Sequence, residues 1–108
     1  MTTRREGAPL RVLASWIARA EKRDAEAVAM MREAADAEDS LEKLPVTPGP
    51  IVPAREQLGA LLLEQGRAEL AAKEFQAVLV AAPARRGAMT GLARARQLAV
   101  LLRPSLSL

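Results

Sequence analysis

The chain has 108 residues, sixteen basic side chains against thirteen acidic ones and a formal net charge of +3, the size of one small domain or of a piece of a longer protein. It contains no Cys and no His, which excludes disulfides, thiolate chemistry and cysteine–zinc sites and removes the usual general base and commonest metal ligand. Half of it is hydrophobic, yet only Trp16 and Phe75 are aromatic, so alanine and leucine must supply the packing, and both are strong helix formers.

Residues 1–8 read as a frayed, disordered polar tail. Pro9 suits the first turn of a helix, where its missing N–H costs nothing. Leu10, Leu13, Ala14, Ile17 and Ala18 then recur at helical spacing, which predicts a first helix over 9–20. The run Glu21–Asp24 is the turn, with Asp24 as N-cap, and a second helix covers about 25–37 with Ala27, Met30, Met31 and Ala34 on one face. Four prolines and a glycine in 45–53 deny that stretch helical hydrogen bonds and make it an extended connector. Pro53 opens a third helix that runs to about Gln65 and ends at Gly66, a natural left-handed cap. The fourth helix spans about 68–81 and is closed by Pro83. The fifth covers about 85–102 and stops before Pro104.

Charge is unevenly spread along these elements. Glu21, Asp24, Glu26, Glu33, Asp36, Glu38, Asp39 and Glu42 make the middle acidic. No acid follows Glu74, whereas Arg85, Arg86, Arg94, Arg96 and Arg103 do. No continuous apolar run precedes the Glu21–Asp24 turn, so no signal peptide is expected. None reaches the roughly 18–20 residues of a membrane span, and the expected compartment is the cytoplasm.

The two helical hairpins match each other at one constant offset. Ser15 falls on Gly59, Lys22 on Gly66, Ala27 on Ala71, Met31 on Phe75 and Ala34 on Val78. The offset exceeds a period of ~34 residues, and the proline connector supplies the excess. Stepping ~34 residues on from Leu58 and Gly59 reaches Leu92 and Ala93, which makes the fifth helix the first half of a third unit. Such units cannot bury their apolar faces alone and must stack.

In Leu58–Gly59, Gly66–Arg67, Ala71, Phe75 and Pro83 the chain resembles a tetratricopeptide repeat protein. Residues 9–98, including the proline-rich connector, resemble the C-terminal portion of longer bacterial proteins of that class. The resemblance implies an all-α array of two antiparallel helical hairpins (9–40 and 54–83), a connector over 41–53, a half repeat over 84–102 and a tail over 103–108. It departs from the pattern at Leu70, which precedes Ala71 instead of following it. Leu44 stands where similar sequences often carry histidine, and Arg96 replaces a large apolar residue. Some members hold an acidic chaperone tail through lysines and asparagines on the first helices. This chain has no Asn, and that clamp is not expected.

Catalytic readings fail on chemistry. Asp36, Glu38, Asp39 and Glu42 lack the glycine turn and ligand alternation of a calcium loop and read as a solvated helix end. Ser15 has no histidine base and no glycine-rich oxyanion turn, and reads as the small residue that lets two helices approach. Trp16 reads as a cover for the array or as a contact for a partner. The arginines of the fifth helix could meet phosphates or an acidic protein surface, but no stacking aromatic follows Phe75. The spacings Pro45–Pro48 and Pro50–Pro53 fit a stiff spacer or a polyproline ligand.

The resulting expectation is a non-enzymatic protein-interaction or assembly scaffold without cofactor or metal. Its contacts would be Val12, Trp16, Glu56, Ala60, Leu63 and Arg94 on the first helix of each unit. The expected core is Leu13, Ile17, Ala27, Met31, Leu58, Leu62, Ala71, Phe75, Leu79 and Leu92. The unpaired fifth helix would expose some of Leu92, Leu98, Leu101 and Leu102 and invite self-association. The alternatives are a small basic regulatory protein contacting nucleic acid through Arg94 and Arg96, and the tail of a larger protein.

Overall fold

The computed structural model describes the backbone of residues 3–41 and 52–102, and side chains over 10–40 and 52–102. The expected tail at 103–108 lies outside these residues. So do Glu42, Leu44 and most of the proline-rich connector, including Pro45, Pro48 and Pro50. Five helices form among the described residues: α1 (Thr3–Ala20), α2 (Asp24–Leu41), α3 (Ala54–Glu64), α4 (Ala68–Ala81) and α5 (Arg86–Leu102). The described residues contain no strand. Each helix packs on the next, and α3 also touches α5. The molecule is therefore an all-α array of two hairpins, α1–α2 and α3–α4, followed by a single helix.

Three helix boundaries differ from expectation. The first helix starts at Thr3, so Pro9 lies inside it instead of in its first turn; Arg4, Arg5, Glu6 and Ala8 are good helix formers and extend it upstream. The second runs on to Leu41, because its acidic end is held by the next hairpin. Asp24 is already helical and, with Glu26, places negative charge in the first turn, where the helix dipole favours it. Pro53, with φ −61° and ψ 144°, is the extended residue that opens α3.

The hairpin turns are copies of each other. Lys22 has φ 65° and Gly66 has φ 78°, the only positive values among the described residues. In the first turn the Arg23 N–H donates to the Ala18 carbonyl at 2.8 Å, and in the second Arg67 donates to Leu62 at 2.9 Å. Lys22 donates to Arg19 and Gly66 to Leu63, at 2.9 and 3.0 Å. Both turns thus satisfy the last carbonyls of the preceding helix with the same left-handed geometry.

The core runs through the array as one cluster. Ala18, Ala27, Met31, Ala34, Leu58, Leu61, Leu62 and Ala71 are fully buried, and Phe75 and Val78 nearly so. Ser15 is buried at the α1–α2 crossing and donates to the Ala27 carbonyl at 2.6 Å. Phe75 of α4 sits between glycines of two other helices. A Cβ on Gly59 would lie 2.8 Å from its ring, and one on Gly91 would collide with it outright.

Leu13 and Ile17, expected in the core, are instead exposed at 56% and 48%, together with Leu10. The reason lies in the stacking. Leu10 and Ile17 correspond to Ala54 and Leu61 of α3, which lie on the face turned to the first hairpin and are fully buried there. No described helix precedes α1, so its equivalent face is open. Leu79 and Leu92 pack against the core while remaining half-buried.

Polar contacts tie the hairpins together at two edges. Arg55 at the start of α3 donates to Glu74 of α4 at 2.8 Å and to Asp36 and Asp39 of α2 at 2.8 and 2.7 Å. Arg32 adds a second bond to Glu74 at 3.1 Å. Burial disfavours the Arg55 guanidinium, but the hydrogen bonds to Glu74, Asp36 and Asp39 outweigh it and hold the group above the ordinary arginine range. Glu38 accepts the Ala54 N–H at 2.7 Å, covering a free donor of the α3 N-terminus. Asp36, Glu38 and Asp39 are thus a structural fastening between α2 and α3, not a purely solvated helix end.

Candidate functional site

The first helix of each unit contributes to one open groove. Its volume is about 740 Å³ and its walls come from α1, α3 and α5. Helical spacing explains which side chains reach it. Glu56, Ala60 and Leu63 follow one face of α3, and Arg86, Thr90 and Arg94 recur every four residues along α5. Gly87 and Gly91 let α5 approach closely: a Cβ on Gly87 would strike the Glu56 carboxylate, and one on Gly91 the Phe75 ring.

Trp16 forms the α1 wall. It is half-buried and packed against the core, and its indole N–H donates to Gln57 Oε1 at 2.8 Å. The Arg19 guanidinium stands 5.8 Å from the ring centroid, within cation–π range. These contacts fix the ring while leaving part of it facing the groove.

The groove carboxylates are already neutralised. Arg85 donates to Glu56 at 2.6 Å, and Arg19 clasps Glu64 through two bonds of 2.7 and 3.1 Å. The Glu64 hydrogen bond raises the Arg19 guanidinium above its ordinary value. By contrast Arg86 and Arg94 pair with no carboxylate among the described residues. The groove is therefore an apolar trough, floored by Ala60, Leu63 and the edge of Phe75, with uncompensated positive charge along its α5 wall.

Of the six expected contact residues, Trp16, Glu56, Ala60, Leu63 and Arg94 come together here. Val12 does not; it packs half-buried against the core. Sequence reasoning missed Val52, Gln57, Glu64, Arg86, Thr90 and the two α5 glycines. The four-residue recurrence of Arg86, Thr90 and Arg94 was a usable signal. The reach of Gln57 to Trp16 was not, because it spans two hairpins.

No group of three or more carboxylates among the described residues is arranged to hold a metal ion. No described helix is long and apolar enough to cross a membrane. No known protein family, curated protein or solved structure matches the chain.

Proposed function

We propose that the protein is a non-enzymatic interaction scaffold of the tetratricopeptide class that holds a segment of a partner protein in the α1–α3–α5 groove. The observation that carries this reading is the groove itself, in which a tethered Trp16, an apolar floor and the free Arg86 and Arg94 face the same trough. Repetition supports the class: two hairpins share one left-handed turn and one pattern of buried small residues. Apolar troughs with a few convergent polar groups are the usual form of a binding site. Aromatic and arginine side chains are the residue types that dominate binding energy at protein interfaces.

The test is capture from the native cell lysate by the full chain, beside Trp16→Ala. A partner should be retained by the wild type and lost on the variant, with unchanged helicity by circular dichroism. Equal retention by both chains would reject the groove as the binding face.

The exposed Arg86, Arg94 and Arg96 also favour a second reading, contact with nucleic acid through phosphates. It predicts duplex binding that weakens steeply with salt and disappears when Arg94 and Arg96 are replaced by Gln. Insensitivity to salt would remove it.

A further inference from the structure

In the second unit, α3 turns Arg55, Gly59 and Leu62 toward α4: Arg55 binds Glu74, Gly59 meets the Phe75 ring, and Leu62 is fully buried. The same positions on α5 are Met89, Ala93 and Arg96, followed one turn on by Val100. All four are exposed, Val100 at 63%. They share one face by helical spacing, distinct from the groove face of Thr90 and Arg94. Beside this face, Arg67, Ala68, Glu69, Leu70, Ala99 and Leu102 line a second depression of about 350 Å³. The fifth helix therefore presents the surface that α4 covers on α3, with nothing described over it.

Charge selects the occupant. Arg11, Arg19, Arg23, Arg32, Arg55 and Arg85 each pair with a carboxylate. Arg67, Arg86, Arg94 and Arg96 pair with none among the described residues; three of the four lie on α5, and Arg67 lies in the turn before α4. α5 holds no acid, so a second α5 would bring arginine against arginine. Five of the six acids of α2 in a second copy, all but Asp24 in its first turn, are already committed: Glu26 to Arg23, Glu33 to Arg11, Asp36 and Asp39 to Arg55, and Glu38 to the Ala54 N–H. We infer that the Met89–Ala93–Arg96–Val100 face of α5 docks an acidic amphipathic helix of another protein, laid along α5 as α4 lies along α3. Its apolar stripe would cover Ala93 and Val100, and its carboxylates would meet Arg96. Opposite charge across such a face sets partner choice and speeds encounter.

The structure supplies the probe. A fluorescent peptide of the α4 sequence, 68–81, carrying Lys73→Glu and Gln76→Glu, is titrated with the full chain by anisotropy, beside a control carrying Glu69→Lys and Glu74→Lys. The acidic peptide should bind and the basic one should not. Arg96→Glu and Val100→Asp, both at exposed positions that leave the fold intact, should each weaken binding by about tenfold, whereas Trp16→Ala should change it less than about twofold. Equal binding of the two peptides, or binding of neither, overturns the inference. Loss on Trp16→Ala with none on Arg96→Glu also overturns it, and places the peptide in the groove. A concentration-dependent dimer in sedimentation that is broken by Val100→Asp would make a second copy the occupant and overturn it too. Failure of this docking face leaves the groove reading standing, because the two are separated by Trp16 and Arg96.

Discussion

Phe75 is the side chain on which three helices depend. Its ring fills the notch left by two glycines, so α3, α4 and α5 are held at one another's distance by a single aromatic group. Phe75→Ala would remove that filling and should cost ~3–5 kcal/mol, the usual loss for a buried aromatic. Gly91→Ala attacks the same contact from the other side: the added methyl has no space, and overpacking of this kind costs ~1–3 kcal/mol. The two effects are not independent. In a Phe75→Leu background, Gly91→Ala should cost less than in the wild type, since the shorter side chain leaves room for the methyl. Denaturant midpoints for the four chains test this, and additive losses would show that ring and glycine do not press on each other. The sequence carried half of this arrangement. Gly59 and Phe75 stand at repeat spacing, but Gly91 does not, because stepping one period from Gly59 points to Ala93. The ring reaches across to the neighbouring unit, and periodicity within one chain segment does not report a contact between units.

At the level of the elements, turns were more legible than helix starts. A glycine at a C-terminus signals a left-handed residue by its chemistry alone, and the constant offset extended that signal to Lys22, whose φ of 65° matches the 78° of Gly66. A lysine in that conformation brings its Cβ against the following carbonyl, at a cost of roughly 1–2 kcal/mol. Lys22→Gly should therefore stabilise the chain by about 1 kcal/mol, and Gly66→Ala should destabilise it by a similar amount, both read as shifts in melting temperature. A fall in stability on Lys22→Gly would mean that the lysine side chain is doing something the turn geometry does not require. The extension of α2 to Leu41 was not legible, since it depends on Arg55 and the Ala54 N–H reaching back from the next hairpin. Long-range ion pairs leave no local trace in the residues they stabilise. Local propensity could therefore place the acidic cluster at a helix end but could not say what it holds.

For the molecule as a whole, stacking decides which apolar residues are core. Helical periodicity marks Leu10, Leu13 and Ile17 as an apolar stripe just as it marks Leu58, Leu61 and Leu62, because both stripes have the same spacing. Only the presence of a preceding hairpin separates them, and that is a property of the array. Ile17 and Leu61 are equivalent positions with 48% and 0% exposure, so they form a matched pair for testing the architecture. Leu61→Ala empties a sealed site between hairpins and should cost ~2–5 kcal/mol. Ile17→Ala removes a side chain that is half in water already and should cost about 1 kcal/mol or less. The ratio is the test, since both substitutions cut a branched aliphatic side chain back to alanine in a helix. Comparable losses in urea denaturation would mean that α1 is covered in solution, and that the N-terminal face of the array is as closed as its interior. A large difference would fix the direction of stacking: each hairpin buries its first helix against the one before it, and the matching face of α1 is open to water.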